Sequence, residues 1–381
     1  MNPEEFRDST TGKLVPTLKG MAFVPNPLPP PLVDLAILVP QVSRAERALG
    51  ELSGIGRTLP NPYLLIRPFM RREAVASSKI EGTVTTLSQL LLFEVDEESS
   101  RTPGDAREVL NYVRALEHSL KRLDELPISS RLIREAHKIL LTNVQSNRGA
   151  QIVPGEFRRD QNWIGAKLIE NARYVPPPPQ EVPQAMSDLE KYINTMDEEL
   201  PTLIQLALIH YQFEAIHPFP DGNGRVGRLL IPLILCARKE ISQPLLYLSS
   251  YFEKNYDDYI DRMLSISKMG LWTSWISFFL DGIEETCKDA VARAQALQAL
   301  QKSYYGKIQR ARSSALLGQL IDLLFEHPAI TVPYAAERLQ ISYNAAKNNI
   351  TRLVEVEILR VSTSSNRPMV FVAGDIVSTI S

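Results

Sequence analysis

Only two cysteines occur in the chain, Cys236 and Cys287, so no disulfide framework holds it. Cys236 lies in an apolar run and reads as a core residue. Net charge is also nearly absent. The 42 Lys and Arg are set against 44 Asp and Glu, which leaves −2. A global pull towards nucleic acid or an anionic membrane is thereby excluded. Long apolar runs are missing as well. The longest, Leu229 to Ala237, has nine residues and contains Pro232. A spanning helix needs ~20. The N-terminus reads Met-Asn-Pro-Glu-Glu-Phe-Arg-Asp, with no apolar stretch after a basic start. No secretory leader and no membrane partner are therefore expected, and the cytoplasm is the default location.

What remains is ordinary for a soluble globular protein: 44 % hydrophobic and 23 % charged residues in a chain of 381. That length favours two or three domains. Residues 1–63 read as an N-terminal arm and a helix. The arm, 1–32, contains Val24-Pro25-Asn26-Pro27-Leu28-Pro29-Pro30-Pro31, which cannot be helical and is expected to lie extended over the surface. Apolar residues at helical spacing (Leu35, Leu38, Val42, Ala45, Leu49, Leu52) predict a helix to Arg57, broken by Pro60 and Pro62. A second helix is expected from Leu64 to Ser78. Further helical patterns occupy about 104–124, 129–143, 181–196, 201–215, 223–238, 253–266 and 270–304. The exception is 157–175, where two short β-prone pieces flank a polar turn and Pro176 to Pro179 follow. This predicts a hairpin.

Residues 217–228 read His-Pro-Phe-Pro-Asp-Gly-Asn-Gly-Arg-Val-Gly-Arg and open the apolar helical run. Free N–H groups and the positive dipole end at a helix N-terminus suit an anion. Asp221 is the only carboxylate in the string. A hard cation such as Mg2+ is often held by one carboxylate plus phosphate oxygens. Gly222 and Gly224 let the backbone bend sharply and approach a phosphate. Asn223 tolerates left-handed dihedrals or caps the helix. Arg225 and Arg228, three apart, share a helix face, and guanidiniums bind phosphates bidentately. His217 titrates near neutrality and is the natural general base. Taken singly, each part is usually structural. Together and in order they point to a polyphosphate site with a base beside it.

The string resembles the signature of Fic-domain proteins, His-Pro-Phe-x-(Asp/Glu)-Gly-Asn-Gly-Arg-x-x-Arg, at every fixed position. The resemblance implies a mainly α chain. Residues 64–305 would form an all-helical Fic fold with a β-hairpin flap. It also implies transfer of AMP from ATP to a Ser, Thr or Tyr hydroxyl of a protein, self-modification included. His217 would take the proton from the target. Asp221 would hold Mg2+. Pro218, Phe219, Gly222, Asn223, Gly224, Arg225 and Arg228 would form the nucleotide site, with Phe219 as its apolar anchor and the two arginines clamping the β- and γ-phosphates. Asn255 or Tyr256 would lie near the adenine. Trp163, Ile164 and Gly165 would be the tip or edge of the flap, which docks the target by strand addition.

Ser77-Ser78-Lys79-Ile80-Glu81-Gly82 ends the second helix and by spacing alone is a C-terminus with a glycine stop. Glu81 opposes the dipole there and invites a cationic partner. Ser77, Glu81 and Gly82 also match the inhibitory pattern (Ser/Thr)-x-x-x-Glu-(Gly/Asn) of some Fic proteins. By that resemblance about 64–82 is an inhibitory helix, and Glu81 occupies Arg228 so that ATP sits with its triphosphate misplaced. Other outcomes stay open: a different nucleotide or phosphocholine donor, removal of AMP with Glu81 aligning a water, or a transcriptional regulator that only senses a nucleotide.

Residues 313–381 form a different unit. Helices at Leu316–Phe325, Val332–Leu339 and Tyr343–Val356 precede two strands within 358–372, an order that suggests a small winged helix. Lys347 and Arg352 lie on its second, recognition-type helix and Arg367 on the wing. From Ser313 onwards five Lys and Arg face six Asp and Glu, a net −1. That is a poor footprint for DNA, and a protein-docking or homodimer-forming module competes with it.

Overall fold

A computed structural model describes residues 1–31, 35–58, 63–95, 104–144, 153–195, 199–309, 315–362 and 369–381. Within it the N-terminal arm is not merely extended. β1 (Gly12–Thr17) pairs antiparallel with β2 (Gly20–Pro25). Pro16 is tolerated because β1 is an edge strand, and Gly20, at φ +120°, closes the turn. Phe6 and Phe23 are buried and pack on each other and on Tyr174.

Helices follow: α1 (Leu35–Thr58), α2 (Tyr63–Ile80), α3 (Leu87–Val95), α4 (Gly104–Arg122), α5 (Ser130–Leu140), α6 (Val182–Asn194), α7 (Thr202–Ile216) and α8 (Asn223–Ala237), all but α3 where apolar spacing predicts them. α3 was not anticipated. Its sequence, Leu-Ser-Gln-Leu-Leu-Leu-Phe-Glu-Val, is short and nearly all apolar, so it shows no clear periodicity. The expected helix 253–266 is instead two, α9 (Ser249–Lys254) and α10 (Tyr256–Met269), because Asn255 at φ −116°, ψ 41° leaves the helical region. α11 (Trp272–Gln309) then runs alongside α1, joined by Arg44 to Glu284 at 2.9 Å.

α7 and α8 are apolar on almost every side and lie at the centre. The loop between them is therefore built on two buried rods. The expected flap is slighter than a hairpin. It contains one isolated bridge, Ile164 to Tyr174, with Val175 accepting a hydrogen bond from Phe23 N–H. The prolines from 176 onwards lack the donors that a longer ladder needs.

The C-terminal unit comprises α12 (Ala315–Glu326), β3 (Ala329–Thr331), α13 (Val332–Leu339), α14 (Tyr343–Glu355), β4 (Arg360–Val361), β5 (Val370–Val372) and α15 (Gly374–Ile380). Its strands run in the order β3-β5-β4, all antiparallel. Lys347 and Arg352 are exposed, while Arg367 lies outside the described residues. The unit's apolar core is continuous with that of the preceding helices. Buried Arg71 of α2 donates to the Glu326 carbonyl at 2.7 Å and pairs with Glu94 of α3 at 2.9 Å. Two residues on, Glu73 is buried and accepts from Tyr112 at 3.0 Å and from Ser249. No helix among the described residues is long and apolar enough to cross a membrane.

Candidate active site

α7 ends because Pro218 cannot continue it. His217 caps it in the left-handed region, at φ 49°, ψ 62°. Such a conformation is rare for a residue with a side chain and is held only where the surroundings enforce it. Burial pushes the His217 imidazole down to about 4, assisted by the Arg158 charge and opposed by Glu81 and Asp221. At neutral pH the ring is free of its extra proton and able to accept one.

The loop is braced from inside. Asn223 Oδ1 accepts from Phe219 N–H at 2.8 Å, and its Nδ2 donates to the Phe219 carbonyl at 2.8 Å. The Asn223 side chain thus fixes the loop. Phe219 is fully buried and stacks on His137, with ring centroids 3.8 Å apart. Gly155 N–H donates to His137 Nδ1 at 2.9 Å, so Nε2 carries the hydrogen and donates to the Asp221 carbonyl at 3.0 Å. Gly222 turns at φ +79° over the His137 ring. Asp221 Oδ1 accepts from Gly222 N–H at 2.7 Å and stands 3.9 Å from Arg225.

Both arginines of the loop helix are engaged by carboxylates. Arg228, at the core, donates to Glu81 Oε1 at 2.7 Å, to Ser77 Oγ at 2.9 Å and to the Ser77 carbonyl at 2.9 Å. Burial opposes ionisation of Glu81, but the Arg228 charge and hydrogen bond, with Arg225 and His217 adding to them, together hold the carboxyl below its ordinary value. Arg225 donates to Glu108 of α4 at 2.8 Å, which also accepts from Thr83 at 3.2 Å. Gly224 explains how Glu81 reaches so deep. A Cβ there would lie 2.2 Å from Glu81 Oε1. The carboxylate therefore rests against bare backbone in the first turn of α8, where an anion is favoured.

Asn255 donates to the Tyr251 carbonyl at 2.9 Å, and Tyr256 is 46 % exposed at the start of α10. Neither bonds to the 217–228 loop among the described residues. Lys79, beside the Glu81 turn, pairs with Glu253 at 2.9 Å just before them. In the flap, Asn162 donates to the carbonyls of Phe219 and Pro220 at 3.2 and 3.4 Å. Gly165 turns at φ +86°, and the Trp163 ring lies 5.9 Å from Lys19.

Sequence reasoning missed His137, Arg158, Glu108, Asn162 and Glu214. His137 sits on the apolar face of α5 with Leu132, Ile133, Ala136 and Leu140, where it reads as core. Glu214 is one turn before His217. Burial raises it to about 8, against the Arg228 charge, so it is largely protonated at neutrality.

Four of the five histidines, His137, His210, His217 and His327, are depressed to about 4, 3, 4 and 3, chiefly by burial. Their ordinary value is 6.5. As pH falls, the unfolded chain takes up these protons first. The stability they contribute is full above about 6.5 and is lost on acidification. Glu214 and Glu73, both raised by burial, act the other way down to about 4.5. Two groups oppose four, so the melting temperature should fall between pH 6.5 and 4.5. A melting temperature that held or rose across that window would refute the balance.

Residues 39–121 match the Fic/DOC family N-terminal region, and residues 127–235 match the Fic/DOC family. The chain is similar to the protein adenylyltransferase Fic of Drosophila grimshawi, 32 % identical over 162 residues, which are 41 % of this chain and 31 % of that protein. The Drosophila melanogaster protein of the same name is 30 % identical over 162 residues, covering 41 % and 30 %. The matched segment thus spans about a third of these curated relatives. Among solved structures, a Fic family protein from Desulfovibrio desulfuricans G20 superposes with a TM-score of 0.55 at 22 % identity, over 91 % of this chain and 98 % of that one. A Fic-domain signalling protein from Bacteroides thetaiotaomicron gives 0.53 at 22 %, over 66 % and 97 %.

Proposed function

Because the chain belongs to the Fic/DOC family, we propose that it is a protein adenylyltransferase that moves AMP from ATP to a hydroxyl of a protein. The observation that carries this reading is the Glu81 carboxylate seated on Gly224 and Arg228 in the first turn of α8. A buried site that holds a carboxylate there is built to hold a phosphate. The target oxygen loses its proton to the neutral His217 imidazole and attacks the α-phosphorus in line, and pyrophosphate leaves. Arg228, and Arg225 when released from Glu108, bear the charge of the β- and γ-phosphates. Positioning and fixed charge account for most of the acceleration in such a transfer. The target segment lies along the flap at Trp163, Ile164 and Gly165, and the nucleoside faces the turn at Asn255 and Tyr256. The cytoplasm, rich in ATP, is the natural setting.

Asp221 is the loop's own carboxylate and fits a cation that takes its other ligands from phosphate oxygens. Mg2+ bound there would neutralise phosphate charge. Two measurements test the reading. Mass spectrometry after incubation with MgATP should find the chain itself carrying AMP. If no AMP reaches either this chain or added proteins, even with Glu81 removed, the assignment fails. Asp221→Ala should lose Mg2+-dependent transfer, and EDTA should silence the parent. Transfer that persists in excess EDTA removes the metal from Asp221.

A further inference from the structure

Arg158, at the root of the flap, is buried, and no carboxylate reaches it among the described residues. Its partners are main-chain oxygens. Nε donates to the His217 carbonyl at 2.8 Å. Nη2 donates to Pro177 at 2.5 Å and to Ile216 at 3.4 Å, and Nη1 to Asp160 at 3.3 Å. Its own N–H donates to the Pro218 carbonyl at 2.9 Å. The side chain therefore joins both ends of the flap segment to the last carbonyls of α7. Those carbonyls have no intrahelical partners, and a cation at that helix end is favoured by the dipole. Only a guanidinium offers enough donors in one plane to reach all of them.

A buried cation without an anion is costly. Burial pulls Arg158 down to about 10, which still leaves it charged at neutral pH. The charge stands one residue's carbonyl away from the group that must accept a proton.

We propose that Arg158 is a positioning residue for the general base: it holds the His217 main chain in its left-handed turn and sets a positive charge behind the imidazole. The inference rests on His217 acting as the base in AMP transfer. After burial, Arg158 is the largest influence keeping the imidazole below its ordinary value. The groups that oppose it are Glu81 after α2, Asp221 in the loop and the Glu214 main chain in α7.

The test uses the full chain carrying Glu81→Gly, with Arg158→Gln and Arg158→Lys added separately. Arg158→Gln should lower kcat by about tenfold or more, with the KM for ATP within about twofold. The acid limb of its kcat–pH profile should move up by about one unit. Arg158→Lys keeps the charge but reaches fewer carbonyls, so its rate falls while its acid limb stays near the parent's. Nitrogen-15 NMR of the imidazoles reads the same shift without catalysis. With His217 assigned by comparison with His217→Asn, its midpoint should rise from about 4 in Arg158→Gln. An unchanged kcat in either variant overturns the proposal. So does a lost rate in Arg158→Gln with no movement of its acid limb or NMR midpoint, because that is a merely structural role. If Arg158→Gln does not fold, Arg158→Lys decides by the split between kcat and KM. If the Glu81→Gly parent transfers no AMP at all, the activity reading has failed, and the NMR arm still reports on Arg158.

Discussion

With His217 changed to alanine, ATP should bind nearly as before and AMP transfer should drop by about 10²–10⁴. The two effects separate because the groups that would hold the triphosphate belong to other residues. Arg228 lies in the buried wall of α8, Asp221 is fixed through its backbone by His137, and the free N–H groups belong to the first turn of α8. His217 contributes a neutral imidazole at the mouth of that turn. Alanine is strained at φ +49°, so a loss of rate could come from a shifted loop. His217→Asn guards against this, since asparagine accepts the left-handed region and cannot act as a base of comparable strength. Both variants should lose transfer together while their melting temperatures diverge. Transfer at the parent rate by either one sinks the assignment.

Removing the Glu81 carboxylate should act in the opposite direction. Its contact with Arg228 is short, and Arg228 is 2 % exposed. A charge-assisted pair of this kind is worth about 1.5–3 kcal/mol, which corresponds to roughly 10- to 100-fold in rate. Glu81→Gly should raise AMP transfer by that factor, because Gly224 and Arg228 are then open to phosphate. Glycine is also compatible with the turn, where Glu81 N–H already bonds the Ser78 carbonyl and Gly82 carries φ +87°. Arg228→Ala should not be rescued by the same change, since the clamp itself is gone. A fall in transfer, or no change, would count against a brake. The negative field of Glu81 also reaches His217, so the carboxylate could align a water for AMP removal. Assay of Glu81→Gly on an AMP-modified substrate separates that role from an idle surface residue.

The legible parts of this chain were those written contiguously. His217 to Arg228 needs no long-range contact to be read, because the chemistry is a loop and the first turn of one helix. Amphipathic helices such as α5 were legible for a similar reason: apolar spacing predicts which face is buried. The partners that hold the loop were not. His137 and Arg158 contact it from 84 and 59 residues away, and each looks locally like core or surface. The β1–β2 hairpin was hidden by prolines that normally argue against strands. α3 was hidden because a helix covered on several sides loses the periodicity that reveals helices.

The anchoring of α2 decides how the nucleotide site could open. Arg71 fastens the helix to α3 and the C-terminal unit, and Glu73 fastens it to α4 and α9. Withdrawing the whole rod would strip two buried charged or polar side chains of their partners at once. The last turn, Ser77 to Gly82, is held by Arg228, by the Lys79–Glu253 pair and by its own backbone. Unwinding that turn would release Arg228 and Lys79 and leave the Arg71 and Glu73 anchors in place. A latch formed by Glu81 would therefore work as a hinged tip on a bolted bar, and the distance Glu81 must travel would be set by a few torsions near Gly82.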